Sequence, residues 1–298
     1  MILENQKFSI RSFEQQDSGA ITDWAKTEGF IPGLGDIGIY SNTDNQGIWL
    51  GCIGQKPIGS IAGIKYNKSY AFIGLFIVLK EYRGNGYGVA LWQHALNYLD
   101  GVECIGLEAA PSRIKDYSKW GFNLSSKTTR WQLDNNFDLL PTGFYNEPLY
   151  DLEVVDGRAL PGKAVEIYDA QREASPRPHF LSDWLSHPLG KVSTVLDPNG
   201  MCHGFGRIRP CLLKDGEAWR IGPLLADTPP IAEMLLRNLL NKHNGKIFLD
   251  TPGLNPYAPF LLESLGFESI SNTFRMYKGL QPPVQMNQIY GLACLELG

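Results

Sequence analysis

The stretch EYRGNGYGVALW (Glu81–Trp92) sets Gly84, Gly86 and Gly88 around Asn85 and Tyr87, immediately behind Arg83. It follows the apolar run AFIGLFIVL and precedes an amphipathic segment. Glycines at a strand-to-helix turn leave backbone N–H groups unshielded. With the positive end of the helix those groups form a cradle for an anion such as a diphosphate. Gly86 and Gly88 carry no side chain to hold phosphates away and permit positive φ where the turn needs it. Arg83 adds a charged fork at the entry. An isolated turn of this kind also serves as a tight crossover whose glycines only pack, so the surroundings must decide. Two named loops are excluded: GNGYG is not GxGxxG, and GQKPIGS (Gly54–Ser60) lacks the lysine of GxxxxGK[ST]. The literal GxGxxG at GLGDIG (Gly33–Gly38) follows a helical signal and Pro32, with no helix expected after it, and reads as chance.

The elements that must position this turn alternate between strand and helix patterns. FSIRSF reads as a strand, and DSGAITDWAKTEG as a helix capped by Asp17 or Ser18. GIWLGCIG and IGSIAGIKYN read as a hairpin, followed by a long strand over Ala71–Leu79. A helix from about Gly86 to Leu99 shows Val89, Trp92 and Leu96 at helical spacing. CIGLEA is a buried strand, and SRIKDYSKWGF a short helix ending at Gly121. The pattern loosens from Asp134 to about Gly162 and then repeats. Two helices, a hairpin turning at DPNG, a strand, the helix PIAEMLLRNLLNKH, the strand KIFLD, the helix PYAPFLLESLGF and the closing strand FRMYKG complete the chain. Setting VALW (Val89–Trp92) on EMLL (Glu233–Leu236) brings Gly121-Phe122 and Gly266-Phe267 into register within one residue. That spacing points to an internal repeat of one α/β unit with a mixed sheet, over 1–135 and 163–298, joined by a linker over 136–162.

A chain of 298 residues with 43% hydrophobic and 19% charged residues has length for two cores. Its net charge of -4 and lack of basic runs argue against a nucleic-acid partner. The five scattered cysteines suit buried thiols in a reducing compartment. No secretory leader and no apolar stretch near membrane-spanning length is seen, so a cytoplasmic protein without a membrane partner is expected. The histidines lack metal-ligand spacing, so no metal is expected. Homo-oligomerisation stays open.

The run R-G-x-G-x-G after a strand resembles the acetyl-CoA loop of the GNAT superfamily of acyl-CoA-dependent N-acetyltransferases. The family pattern Q/R-x-x-G-x-G/A is met by Arg83, Gly86 and Gly88, and Y-x-x-x-G-F by Tyr117, Gly121 and Phe122. The match covers about Phe8 to Leu133 in element order. The second half is similar to the divergent GNAT-like domain that follows in tandem bacterial members. The resemblance implies that the strand before the loop splays from its neighbour. Backbone groups of Phe76, Ile77 and Val78 would then pair with the pantetheine arm, and the Val78 N–H would face the thioester oxygen. Arg83, Gly84, Asn85, Gly86, Tyr87 and Gly88 would hold the diphosphate through their amides.

Tyr117 is then the hydroxyl that protonates the departing thiolate. An attacking amine is protonated at pH 7, since a lysine-like group has a pKa of about 10.4, and must lose that proton. Glu108, at the C-terminal end of its strand, and Asp36 are equal candidates for the base. Glu28 is a third, because Glu28 and Asp36 flank GFIPGLGD, a loop that could cover an acceptor site. On the repeat alignment Asp227, Pro230, Ala232 and Leu262 replace Arg83, Gly86, Gly88 and Tyr117, so the second copy is expected to bind no acetyl-CoA. It would instead form a wall of the acceptor pocket, with Arg207, Arg209, Asp250 and Asn255 either facing that cleft or capping structure and sitting in solvent. The expected activity is acetyl transfer from acetyl-CoA to a primary amine of a small molecule or a peptide N-terminus, by direct attack in a ternary complex. The rival is an acetyl-CoA sensor without turnover.

Overall fold

A computed structural model of the chain describes residues 7–135, 151–156 and 162–298. The first half runs β1 (Phe8–Ser12), α1 (Ser18–Thr27), α2 (Asp36–Thr43), β2 (Ile48–Ile53), β3 (Lys56–Lys65) and β4 (Tyr70–Val78). It continues through α3 (Tyr87–Tyr98), β5 (Cys104–Ala109), α4 (Ile114–Ser118) and β6 (Asn123–Asn135). The second half runs β7 (Glu153–Asp156), α5 (Gly162–Ala170), α6 (Pro178–Ser186), β8 (Lys191–Leu196), β9 (Cys202–Leu213) and β10 (Gly216–Ala226). It ends with α7 (Pro229–Leu240), β11 (Gly245–Pro252), α8 (Ala258–Ser264), β12 (Glu268–Gly279) and β13 (Ile289–Gly291). The order β2-β3-β4-α3-β5-α4-β6 recurs as β8-β9-β10-α7-β11-α8-β12.

The repeat is held by the same local chemistry in both copies. Gly121 and Gly266 each sit at φ +86, the left-handed region that favours glycine. Behind each, a buried phenylalanine donates its backbone N–H into the preceding helix, Phe122 to the Tyr117 carbonyl at 3.3 Å and Phe267 to the Leu262 carbonyl at 3.0 Å. Leu262 therefore stands where Tyr117 stands.

The halves do not keep separate sheets. All the described strands join one mixed sheet in the order β1-β2-β3-β4-β5-β12-β6-β11-β10-β9-β8-β7, with β13 attached to β10. The strand read as the close of the second half, β12, lies between β5 and β6 and pairs antiparallel with both. In exchange β6 pairs with β11. Each half thus completes the other's sheet.

On one face α3 packs on β2, β3 and β4 through Leu91, Trp92, Ala95 and Leu99. Val89, expected on that apolar stripe, is 57% exposed instead. The opposite face buries α1, α2, Phe180 and Trp184 of α6, and Ala293, Cys294 and Leu297 in one cluster. A third cluster packs α7 and α8 against β6 and β8–β11.

Three expectations need correction. A helix does follow GLGDIG: α2 starts at Asp36, with Gly35 at φ +86 before it. Glu153–Asp156, placed in the linker, form an edge strand on β8; 136–150 and 157–161 lie outside the described residues. Arg207, Arg209, Asp250 and Asn255 face neither cleft nor solvent, being at most 1% exposed. Asn255 caps α8, accepting from the Tyr257 and Ala258 amides. Among the described residues no helix is long and apolar enough to cross a membrane, and no cluster of metal-ligating side chains occurs.

Candidate active site

The site starts with an irregularity in β4. Ser60 pairs with Ile77 and Ala62 with Gly74, so one extra residue bulges from β4 at Leu75–Phe76. Leu75 takes φ +47 there, and its carbonyl accepts from Ser60 Oγ at 2.9 Å. Before the bulge β4 pairs in parallel with β5, from Tyr70 with Cys104 to Ile73 with Leu107. After it that pairing stops, and Phe76, Ile77 and Val78 turn away from β5. The Leu79 N–H donates to the Ile58 carbonyl of β3 at 2.9 Å. Backbone groups alternate sides along a strand, so the Val78 N–H points the other way, into the opened cleft.

Beyond β4 the glycine turn leads into α3. Gly84 and Gly86 sit at φ +82 and +83, where only glycine is unstrained, with nothing within 4 Å of a notional Cβ at either. Gly88 is different: a Cβ there would rest against Phe76 and Val78 at 3.4–3.5 Å. Asn85 ties the turn to itself, Nδ2 donating to the Tyr82 and Arg83 carbonyls at 3.2 Å. The amides of Gly84 to Val89 have no acceptor among the described residues. The Arg83 amide, expected in this set, donates to the Lys80 carbonyl at 3.3 Å. The result is a run of free donors at a helix N-terminus, which suits an anion. The Arg83 guanidinium donates to the Val78 carbonyl at 2.7 Å and to Glu28 at 2.6 Å, linking the turn to the end of α1.

Cleft and turn open into one cavity of about 900 Å³. Its walls include Phe76, Ile77, Val78, Arg83, Gly84, Gly86, Gly88, Glu108 and Tyr117, together with Glu28 and Phe30. Tyr117 is half-buried against Trp92, ring centroids 4.9 Å apart, and burial pushes its phenol up to about 12, so it is protonated at neutral pH. Its hydroxyl has no hydrogen bond to the described residues and is free for a ligand.

The three carboxylates expected as bases part company. Asp36 is off the cavity. It is 1% exposed and clamped by Arg209, which donates Nε to Oδ1 and Nη2 to Oδ2 at 3.0 Å; Oδ2 also accepts from the Gly33 amide and Tyr40. Burial alone would raise its pKa, but the Arg209 charge and hydrogen bonds overcome that and hold it below the usual carboxylate range. Its loop is pinned to the second half, Leu34 donating to Pro210 and Leu212 to Pro32. Asp36 is therefore a structural ion pair. Glu108 lies on the wall, but Oε1 accepts from Arg275 at 2.7 Å and Thr128 at 3.0 Å, and Oε2 from Thr273 at 2.9 Å. Two of those donors come from β12. Glu28 is exposed at the mouth and paired with Arg83.

Residues that sequence reasoning missed complete the wall: Arg130, Ser271, Thr273, Leu295 and Glu296. Four come from the second half through the exchanged β12 and the segment after β13. Their one sequence signal is a lone Glu296 in the apolar run GLACLEL.

In the second copy the corresponding gap between strands is occupied. Pairing between β10 and β11 also ends early, after Ile221 with Leu249, but β13 fills the gap, Leu224 pairing with Gly291 and Leu225 with Ile289. The turn from Leu79 to Gly86 is cut to Asp227 and Thr228, so Asp227 replaces a whole loop and no single Arg83 counterpart exists. Asp227 instead accepts from Tyr168 and Arg172 at 2.8 Å and contacts His203 Nδ1 at 2.9 Å.

This geometry agrees with comparisons to known proteins. Residues 13–122 match the family model described as Acetyltransferase (GNAT) family, and 165–291 the one described as Acetyltransferase (GNAT) domain. A holothin acyltransferase from Pseudoalteromonas sp. (strain SANK 73390) is 27% identical over all of this chain and 97% of its own length. The uncharacterized N-acetyltransferase YitH of Bacillus subtilis (strain 168) is 22% identical, covering 87% of this chain and 84% of its own. A putative acetyltransferase from Pyrococcus horikoshii has the same fold at TM-score 0.76 and 22% identity, over 100% of this chain and 98% of its own. A tandem GNAT protein from the clavulanic acid biosynthesis pathway aligns at TM-score 0.59 and 13% identity, over 91% and 98%. The chain belongs to the GNAT acyltransferase family, as two such domains in tandem.

Proposed function

We propose that the first domain transfers acetyl from acetyl-CoA to a primary amine of a small molecule, by direct attack within a ternary complex. The observation that carries this reading is the continuity of three features in one cavity: the free amides of Gly84–Val89, the inward Val78 N–H and the free Tyr117 hydroxyl. The amides suit a diphosphate, and the open space at Gly84 and Gly86 lets it approach the backbone. When bound, the thioester supplies an activated acyl group. The Val78 N–H is placed to stabilise the oxygen on which charge develops. Tyr117 is placed to donate to the departing thiolate, and the burial that raises its own pKa raises that of a thiol beside it as well. A cavity of about 900 Å³ falls within the size range of small-molecule sites. The relative named holothin acyltransferase is named for turnover, which favours a transferase over a sensor. The second domain, its cleft filled by β13, serves as a wall, and the protein works in the cytoplasm.

The test is thiol release from acetyl-CoA against a panel of amines. Release that depends on an added amine, slowed about 10²-fold in Tyr117→Phe with acetyl-CoA affinity kept, is expected. Acetyl-CoA binding without release across the panel would replace this reading with the sensor.

A further inference from the structure

Glu296 is a carboxylate without a hydrogen-bonding role in the fold. Its side chain is 6% exposed, yet it lies on the cavity wall beside Leu295. Oε2 has no hydrogen-bond partner, and the nearest cation, Arg220 Nη1, stands 3.9 Å away. Arg220 is itself committed, donating Nη2 to Asp250 at 2.7 Å and Nη1 to the Ile31 carbonyl at 3.0 Å. An ionised oxygen at this depth costs free energy unless something donates to it, and the side from which a donor can come is the cavity.

The position is built. The segment after β13 crosses from the second half into the first. The Leu292 amide donates to the Asp250 carbonyl at 2.8 Å; the Ala293 carbonyl accepts from Arg209 at 3.2 Å and the Leu297 carbonyl from Tyr66 at 3.1 Å. The Glu296 carbonyl lies so close under β4 that a Cβ on Gly74 would overlap it. Gly74 precedes the bulge that turns Val78 inward, so the carboxylate and the opened strand share one piece of backbone packing.

Resting on the acetyl-transfer reading above, we infer that Glu296 is the general base: it receives the acceptor's ammonium and takes its proton. Glu296 removes one proton from R–NH3+. The C–N bond to the acyl carbon then forms as the C–S bond breaks, and Tyr117 donates to the thiolate. The nitrogen's second proton restores Tyr117, and Glu296 returns its proton to solvent. The acceptor class is thus an amine that is cationic in solution, which Glu108 with three donors and Asp36 inside its ion pair do not serve. Titratable groups face Glu296 from several elements: Arg220 on β10, Arg130 on β6, Asp250 on β11, Asp36 and Tyr40 on α2, and Cys294 of its own segment. Burial outweighs the two arginines, and the two aspartates add to it, so the carboxyl sits above its usual range, toward the pH at which a base works.

The test is Glu296→Gln in the full chain. Acetyl-CoA affinity by calorimetry should stay within about twofold, while kcat with an alkylamine at pH 7 falls about 10²-fold and the acid limb of kcat/KM against pH moves up toward the pKa of the amine itself. An arylamine, already neutral, should lose less than about tenfold. Wild-type kcat and an unmoved acid limb in the variant would overturn the inference while leaving acetyl transfer standing. No acetyl-CoA heat in the wild type would overturn the reading beneath it. Should the glutamine variant fold poorly, Glu296→Asp decides: reduced kcat with the acid limb kept supports the base, and full kcat refutes it.

Discussion

Replacing Asp36 by asparagine separates a structural carboxylate from a catalytic one. Arg209 is fully buried and donates to both Asp36 oxygens. Oδ2 also accepts from the Gly33 amide at 3.1 Å, so whichever way an asparagine amide is turned its NH2 meets a donor. Removing one partner of a buried ion pair costs about 3–5 kcal/mol. The lower end applies here, because Arg209 keeps the Gly222 and Ala293 carbonyls at 3.2 Å. About 3 kcal/mol at roughly 2–4 °C per kcal/mol gives a fall in Tm of about 6–12 °C. The pKa of Asp36 is lowered by folding. Its contribution is therefore complete above the unfolded value of about 3.9 and is lost only as pH falls through the folded value. The gap between wild type and variant should be constant at neutral pH and close in acid. Thermal unfolding followed by circular dichroism across pH measures it. Arg209→Met in the same background should cost less than the two single losses added, because neither charge is then left alone. At a temperature where the variant is folded, kcat should change less than about threefold. An unchanged Tm with kcat down about 10²-fold or more would refute this and return Asp36 to the list of bases.

Three further outcomes follow from contacts in the site and the interface. Arg83→Glu sets a second carboxylate against Glu28 and beside the free amides, so acetyl-CoA affinity by calorimetry should fall at least about tenfold, whereas Asp227→Ala should leave it unchanged. Gly86→Ala meets no neighbour but must hold φ +83, which costs about 1–2 kcal/mol, read as a lower Tm and weaker acetyl-CoA binding together. Arg207 is fully buried, with Nε and Nη1 unbonded and its pKa pushed down to about 9, chiefly by burial and then by Arg209; Arg207→Met should leave Tm unchanged or higher. A loss above about 2 kcal/mol in that variant would mean that its stacking on Trp184, 4.7 Å away, outweighs the unpaired donors.

What the sequence makes legible here is what neighbours in the chain decide. Gly84 and Gly86 are where left-handed backbone is needed, and the interval from Tyr117 to Phe122 is closed by one local hydrogen bond that Leu262 and Phe267 repeat. Pairing between distant strands is another matter. FRMYKG alternates like any strand, and period-two alternation is satisfied by whichever neighbour offers an apolar face, so nothing in it specifies insertion between β5 and β6. That insertion brings Arg275 and Thr273 to Glu108, so that with Thr128 three donors occupy its two oxygens. Asp36 misleads for the same reason: a loop carboxylate among glycines looks solvated until β9 delivers Arg209 across 173 residues of sequence.

The exchange of strands also decides where a base can be. With β12 lying against β5, the carboxylate of the first domain accepts from two donors of the second. With β13 seated in the second domain's own cleft, the chain that follows is aimed into the first domain's cavity. These are two consequences of one packing: the same half that closes its own ligand cleft supplies Leu295 and Glu296 to its neighbour's. Weakening β13 should therefore act on catalysis at a distance. Gly291 packs against Leu224 and Leu249, a Cβ there coming within 3.1 Å of the former. Gly291→Val crowds that contact by far more and should shift the segment that carries Glu296. The expected result is a lower kcat with KM for acetyl-CoA held, since the amides of Gly84–Val89 lie on α3 and its turn, away from β13. A variant that lost acetyl-CoA affinity and kept kcat would show the opposite coupling and break the argument.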